Sequence, residues 1–217
     1  MKKIILLIIS VFLMTCDADL ISDNSNLEIT INNYGSGSPC GGSVLNHNGD
    51  VFRSFDGGLA RMNAELNLEE NLIGNYNQAE VYHVEKIGEN FWFAITDYNN
   101  LNEARVVDEN GNELAVYQLG QNPGDFAIWS AEEGNSSWVF VANEGNFGAS
   151  DGSISMINEL ENIYETENIG DVVQSLEVYQ NKLIVLINNS HKIKIYDITP
   201  EGLSMPGIEI STGMSSP

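Results

Sequence analysis

The sequence predicts an all-β protein whose body is a β-propeller, a ring of four-stranded antiparallel sheets called blades. Short apolar runs rich in β-branched and aromatic residues alternate with clusters of Asn, Gly and Asp. From Leu27 onward, no stretch of ten or more residues shows the 3.6-residue apolar period of a helix. A unit of four such runs recurs about every 45 residues, which is the spacing typical of propeller blades.

Apolar runs bounded by turn residues predict the individual strands. The predicted strands are 51–55, 91–95, 104–107, 114–119, 138–142, 154–157, 183–187 and 193–198. Asn48-Gly49, Gly88-Glu89-Asn90 and Asn110-Gly111 lie between them. Asn and Gly tolerate the positive φ of a tight hairpin, so these three sites are predicted turns.

The repeat becomes clear when the chain is aligned on four glycines. Gly74, Gly120, Gly170 and Gly213 are 46, 50 and 43 residues apart. Each of the first three precedes a first strand, a strongly apolar second strand, a third strand and a more exposed fourth. A weaker copy occupies about 41–73, so four units are visible. The last residues, 213–217, match the opening of a blade, which predicts the N-terminal part of a larger propeller. A four-bladed ring closed by 27–31 is the alternative.

The first residues have the pattern of an export signal. Lys2 and Lys3 precede an apolar run, 4–14, that is too short for a permanent membrane helix. The run ends in Leu-Met-Thr-Cys16, which resembles the lipobox of bacterial lipoproteins, with Thr in place of the usual smaller residue. The resemblance implies a signal peptide at 1–15 and a lipid anchor on Cys16. An acidic flexible tether at 16–26 and the propeller from 27 to 217 follow. An ordinary signal peptide with an incidental cysteine is the alternative.

The charge is strongly acidic: 31 Asp and Glu against 9 Lys and Arg give a net charge of −22. Such a surface repels phosphate backbones and anionic headgroups, so nucleic acid is not an expected partner. The composition favours a role of the charge in solubility, and attraction of a cationic partner is the alternative.

Segments in the second half resemble a known family. Residues 140–148, 151–156, 169–175 and 187–190 are similar to the YVTN-type β-propeller repeats of Bacteroidetes surface lipoproteins, a propeller domain of unknown function. The resemblance covers about 120–217. It implies seven blades and a place in the cell envelope, at the outer membrane or cell surface. Because some related propellers sit beside outer-membrane transporters, it also implies an unknown ligand or an envelope protein as partner, possibly in nutrient capture.

The expected binding site lies on one face of the propeller. Strands run alternately up and down, so the loop after the second strand emerges beside the connection between blades. Loops on a rigid scaffold commonly carry binding residues, although Asn and Gly also serve turn geometry. Asp125 and Asp171 are expected at the mouth of the central channel. The predicted ligand-binding residues are Asp97, Tyr98, Asn99, Asp125, Asn143, Asn146, Phe147, Asp171, Gln174, Asn188 and Asn189.

Patterns of catalytic residues are weak. Residues 148–152 fit G-x-S-x-G, but the strand–turn–helix context of a nucleophile elbow is missing. His47, His83 and His191 lie in different units without metal-ligand spacing, so no metal or cofactor is expected. Trp92, Trp129 and Trp138 are expected to pack between blades.

These observations favour a non-catalytic binding module for a small molecule, a glycan or a partner protein. Two other functions stay open. One is a quinoprotein-like or lyase-type propeller enzyme whose catalytic residues lie in further blades, and the other is an adhesion scaffold. The propeller fold hosts all three, so the fold alone does not decide between them.

Overall fold

A computed structural model describes residues 44–47, 49–55, 58–62, 68–73, 80–131 and 136–213. The predicted signal peptide, Cys16, the tether, Cys40 and Asn48 lie outside these ranges. Within them every regular element is a β-strand, which confirms the all-β prediction. No helix in the same ranges has the length and hydrophobicity needed to cross a bilayer.

The described strands form four antiparallel sheets, named blades 1 to 4 in chain order. Blade 1 contains β1 (Val44–His47), β2 (Asp50–Phe55), β3 (Gly58–Met62) and β4 (Leu68–Ile73). Blade 2 contains β5 (Glu80–Ile87), β6 (Asn90–Thr96), β7 (Asn102–Val107) and β8 (Glu113–Gln118). Blade 3 contains β9 (Pro123–Ser130), β10 (Ser137–Asn143), β11 (Ser153–Asn158) and β12 (Ile163–Glu165). Blade 4 contains β13 (Val173–Tyr179), β14 (Lys182–Ile187), β15 (Lys192–Thr199), β16 (Gly202–Leu203) and β17 (Ile208–Ser211).

The blades follow the predicted repeat closely. Blades 1 to 3 pair their four strands in chain order, and the weak first copy is a complete blade. Blade 4 differs, because β16 folds back on the end of β15 as a two-residue hairpin, and β17 pairs with the start of β15. The fourth strand of blade 4 is therefore β17, and its four side chains are exposed, as predicted for closing strands.

Apolar side chains from consecutive blades share one core cluster at each junction. The ring centroids of Phe52 in blade 1 and Phe91 in blade 2 are 4.7 Å apart. At the next junction Trp92 stacks on Tyr117 at 5.4 Å and presents its ring edge-on to Phe126 of blade 3 at 6.3 Å. The second strands of blades 2 and 3 are buried on both faces, one against the preceding blade and one against the following blade. This explains why these second strands are almost wholly apolar.

The junction of blades 3 and 4 uses the other two tryptophans. Trp129 donates its indole N–H to Asn181 Oδ1 at 3.0 Å, and Trp138 donates to the carbonyl of Thr199 at 3.2 Å. Both acceptors lie in blade 4, so each ring is buried between blades while its polar atom is satisfied. Together with Trp92, these contacts confirm the predicted packing role of the three tryptophans.

The two faces of blade 4 differ. Leu183, Val185 and Ile187 of β14 are fully buried against blade 3. The alternate residues face the other way, and the strand register aligns them with one face of β15 and β17. That face consists of branched aliphatic side chains, of which Ile184, Leu186, Ile193 and Ile195 are half-buried and Ile208 and Ile210 are exposed.

Candidate binding face

The loops that the sequence assigns to one face do meet at one end of the blades. We call this surface the loop face, and it comprises residues 97–101, 119–122, 144–152, 166–172 and 188–191. Backbone hydrogen bonds hold the two described connections, between blades 2 and 3 and between blades 3 and 4, against the next blade. Glu144 N donates to Asn122 O, and Asn188 N donates to Val172 O, both at 2.9 Å.

Asp97 organises the first of these loops. Its Oδ1 accepts the backbone N–H groups of Asn99, Asn100 and Leu101, each at 2.9 Å. Hydrogen bonds from backbone N–H groups hold the pKa of Asp97 below its ordinary 3.8, and the bond from Leu101 has the largest effect. The carboxylate is thus committed to the loop, while Tyr98 lies at its tip with φ +60° and 49% exposure.

Asn122 joins the loop of blade 2 to the loop of blade 3. Its backbone N donates to Asn102 Oδ1 at 2.8 Å, and its side-chain oxygen accepts the Thr96 hydroxyl at 3.0 Å. Its Nδ2 donates to Gly145 O at 2.9 Å. Tyr98 N also donates to Thr96 Oγ1, so the backbone under Tyr98 belongs to the same network.

Asp171 joins the loops of blades 3 and 4, as Asn122 joins those of blades 2 and 3. Its buried carboxylate accepts Gly148 N at 2.9 and 3.0 Å and the side-chain amide of Asn189. Its own N–H donates to Ser190 Oγ at 2.8 Å. Two loops from different blades are therefore fixed by one carboxylate.

Phe147 is the most exposed aromatic residue at this face, with 83% exposure. It lies between Asn146, whose N and Nδ2 donate to Asp151 at 2.6 and 2.9 Å, and Gly148, which donates to Asp171. The backbone on both sides of the ring is held, so Phe147 presents an apolar surface from a defined position.

Asn143 lies in the interior. It is fully buried, and its Nδ2 donates to Ser153 Oγ and Ser155 Oγ at 3.0 and 2.9 Å. These bonds join the end of β10 to β11 at the base of the β10–β11 loop. Seven of the predicted residues keep part of their surface accessible to solvent. They are Tyr98, Asn99, Asn146, Phe147, Gln174, Asn188 and Asn189.

Asp125 links the first strands of blades 3 and 4 and lies close to the first strand of blade 2. Its Oδ2 accepts the Ser175 hydroxyl at 2.9 Å and Leu176 N at 2.8 Å, both from β13. On its other side, Oδ1 lies 3.5 Å from His83 Nε2 of β5. The aspartate stands between serine and histidine, so the imidazole does not activate the hydroxyl as it would in a catalytic triad. No group of three metal-ligating side chains occurs within the described ranges.

Two further polar residues meet at the edge of the loop face, and sequence reasoning missed both. Tyr82 of β5 donates its hydroxyl to Glu144 Oε1 at 3.1 Å, across the junction of blades 2 and 3. Its ring lies over Gly124, where a Cβ would be 3.4 Å from the ring. Burial raises the pKa of Glu144 above its ordinary 4.5, and the hydrogen bond from Tyr82 opposes that rise only in part. Tyr82, Gly124 and Gln174 occupy equivalent positions at the bulges of the three first strands, so an alignment of the repeats is the signal that could have found it.

Glu144→Gln is expected to stabilise the protein at neutral pH. With a raised pKa, the folded state binds the Glu144 proton more readily than the unfolded state, so wild-type stability falls as pH rises through the folded pKa. Glutamine has no such dependence, and its advantage disappears below about pH 4.5. Urea unfolding between pH 3.5 and 8 measures the difference. Glu159→Gln is the control, and its effect on stability at neutral pH should have the opposite sign. A hydrogen bond from the backbone N–H of Ser137 lowers the pKa of Glu159. Parallel pH profiles for Glu144→Gln and wild type would contradict the prediction.

Comparison with known proteins rests on structure, since no protein-family model and no characterised sequence matches the chain. Apo AztD from Citrobacter koseri, a β-propeller protein, superimposes with a TM-score of 0.51 at 16% identity, over 82% of this chain and 48% of AztD. The described part of the chain is a run of β-propeller blades. The propeller run spans about half the length of AztD.

Other propellers of different function are also similar. A gluconolactonase from Xanthomonas campestris has a TM-score of 0.47 at 10% identity, over 73% of this chain and 59% of the enzyme. The Aleuria aurantia lectin has a TM-score of 0.48 at 14% identity, over 81% of this chain and 64% of the lectin. At these identities the likeness concerns the propeller fold alone.

Proposed function

We propose that this chain is a lipid-anchored β-propeller of the cell envelope that acts as a non-catalytic binding module, with the loop face as its binding surface. The observation that carries the proposal is the pair of exposed aromatic side chains, Tyr98 and Phe147, on loops whose backbones are held by buried or hydrogen-bonded Asp and Asn. The ligand that we expect is a small molecule, a glycan or a partner protein.

Rigid exposed aromatics favour binding because little conformational entropy is lost when a ligand covers them. Each ring also offers a large apolar area that gains from removal from water. Exposed amides such as Gln174 and Asn189 lie at the same end of the blades and suit polar ligand groups. The net charge of −22 disfavours anionic ligands.

The contacts of Asp125 support binding over nucleophilic catalysis, since Ser175 donates to the carboxylate and not to His83. The lipobox-like residues before Cys16 support the anchor, and fatty-acid labelling that depends on Cys16 is its test. Nutrient capture beside an outer-membrane transporter is the role that the family resemblance supports.

The proposal is tested by probing the full chain, purified in detergent, against an array of neutral and anionic oligosaccharides and of neutral, anionic and cationic short peptides. We expect saturable binding of a neutral or cationic probe that weakens at least tenfold in Tyr98→Ala and in Phe147→Ala. Tyr179→Ala is the matched control, because Tyr179 is 63% exposed but lies at the end of β13, away from the loop face. Equal loss in all three variants, or chemical turnover of the bound probe, would overturn the proposal.

A further inference from the structure

Glu144 is a partly buried carboxylate with no cationic partner among the residues that the structure describes. Its Oε1 accepts the Tyr82 hydroxyl, and Oε2 accepts no hydrogen bond from the described residues. The basic side chains that the structure describes pair elsewhere. These pairs are Arg61 with Asp50, Lys86 with Glu109, Arg105 with Glu103 and Glu113, Lys182 with Asp197, and Lys192 and Lys194 with Glu209.

A carboxylate removed from water without a counter-charge is electrostatically unfavourable, and the raised pKa of Glu144 reflects this. A bound cation relieves the penalty, so the site is suited to a positively charged group. The net charge of −22 adds a long-range attraction for cations at low ionic strength.

The geometry distinguishes between the two common organic cations. A guanidinium prefers to bridge both carboxylate oxygens through two parallel hydrogen bonds. Here the Tyr82 hydroxyl already takes one lone pair of Oε1, so a bidentate guanidinium would have to share that oxygen with the tyrosine, while Oε2 accepts from none of the described residues. A primary ammonium is a compact charge that needs only one such oxygen. The Tyr82 ring packs beside Gly124, where a Cβ would lie 3.4 Å from the ring.

We propose that Glu144, with Tyr82 as its positioning partner, binds the primary ammonium group of the ligand that occupies the loop face. The inference rests on the proposed function, because Glu144 opens the same β10–β11 loop that carries Phe147. An ammonium group of this kind comes from a free alkylamine or from a lysine side chain of a protein.

Calorimetric titration of the full chain tests the inference with three probes: 1,5-diaminopentane, Nα-acetyl-lysine amide and the uncharged 1,5-pentanediol. Both amines are expected to bind and the diol is not. Glu144→Gln should weaken amine binding at least tenfold. Glu201→Gln removes the same charge from the turn after β15, at the opposite end of the blades, and should leave the affinity within twofold. Tighter binding of the diamine identifies a free amine as the source, and tighter binding of the capped lysine identifies a protein side chain.

Tyr82→Phe supplies a second readout that a merely structural role would not move. With Nα-acetyl-arginine amide as a fourth probe, the wild type is expected to bind the capped lysine more tightly than the capped arginine. Loss of the hydroxyl removes the competing donor at Oε1, so this preference should shrink or reverse in Tyr82→Phe. Amine binding to Glu144→Gln at wild-type affinity, or equal binding of the diol, would overturn the inference. If amine binding depends on Glu144 while no array ligand depends on Tyr98 or Phe147, the proposed function fails and the ammonium site stands.

Discussion

Phe140→Ala is expected to lower the free energy of unfolding by about 3–5 kcal/mol, the cost of emptying a large aromatic site in a packed core. Phe140 is fully buried in the cluster shared by blades 3 and 4, together with Leu183 and Tyr196. The rigid sheets on both sides limit collapse into the cavity. Total stabilities of domains are about 5–15 kcal/mol, so the change removes a large share. Urea denaturation followed by tryptophan fluorescence measures it.

The matched control is Phe147→Ala in the same blade. Phe147 is 83% exposed, so its truncation removes little buried area and should change stability by less than about 0.5 kcal/mol. The two variants differ only in the environment of the ring. Similar losses in both would mean that the assignment of Phe140 to the core and Phe147 to the surface is wrong.

Gly152→Ala is expected to cost about 3 kcal/mol, because a Cβ at this position has no space. It would lie 2.7 Å from Val173 Cγ2, 2.8 Å from the Glu144 carbonyl and 2.9 Å from the Gly170 carbonyl. Two of these atoms belong to the backbone, which cannot rotate away. Gly152 N also donates to Gly170 O at 2.9 Å, so relief of the clash breaks the link between the β10–β11 loop and the next connection. Thermal and urea unfolding measure the loss.

Gly148→Ala separates crowding from backbone strain in the same loop. No atom lies within 4 Å of a Cβ there, but φ is +82°, so the expected cost is about 1 kcal/mol from the left-handed backbone alone. A loss in Gly148→Ala as large as that in Gly152→Ala would contradict the steric explanation.

The strands were predictable because burial on both faces imposes a local signal on the sequence. The second strands β6, β10 and β14 read as continuous apolar runs, and their repetition located the blades. The β16 hairpin of blade 4 was not predictable, since two residues carry no periodicity. The turn at Asp108 was recognised as a hairpin from its Asn-Gly, and Gly111 does adopt φ +82°.

The candidate site was predictable in place and less so in detail. Because successive strands of a blade run in opposite directions, strand order was enough to place the loops after the second strands at the same end as the connections between blades. Whether a carboxylate faces a ligand or the backbone depends on loop conformation, and the sequence does not reveal this for Asp97 or Asp171. The pair of Tyr82 and Glu144 was missed because the two residues are 62 positions apart and meet only through the packing of blades 2 and 3.

The arrangement of core clusters has a consequence for cooperativity. Each cluster joins one pair of consecutive blades, so stability is distributed over nearest-neighbour junctions and not held in a single centre. Loss of one junction leaves the next with its own buried area and hydrogen bonds. Hydrogen exchange in Phe140→Ala should then rise in blades 3 and 4 while amides of blade 2 keep most of their protection, so the molecule opens in steps along the chain.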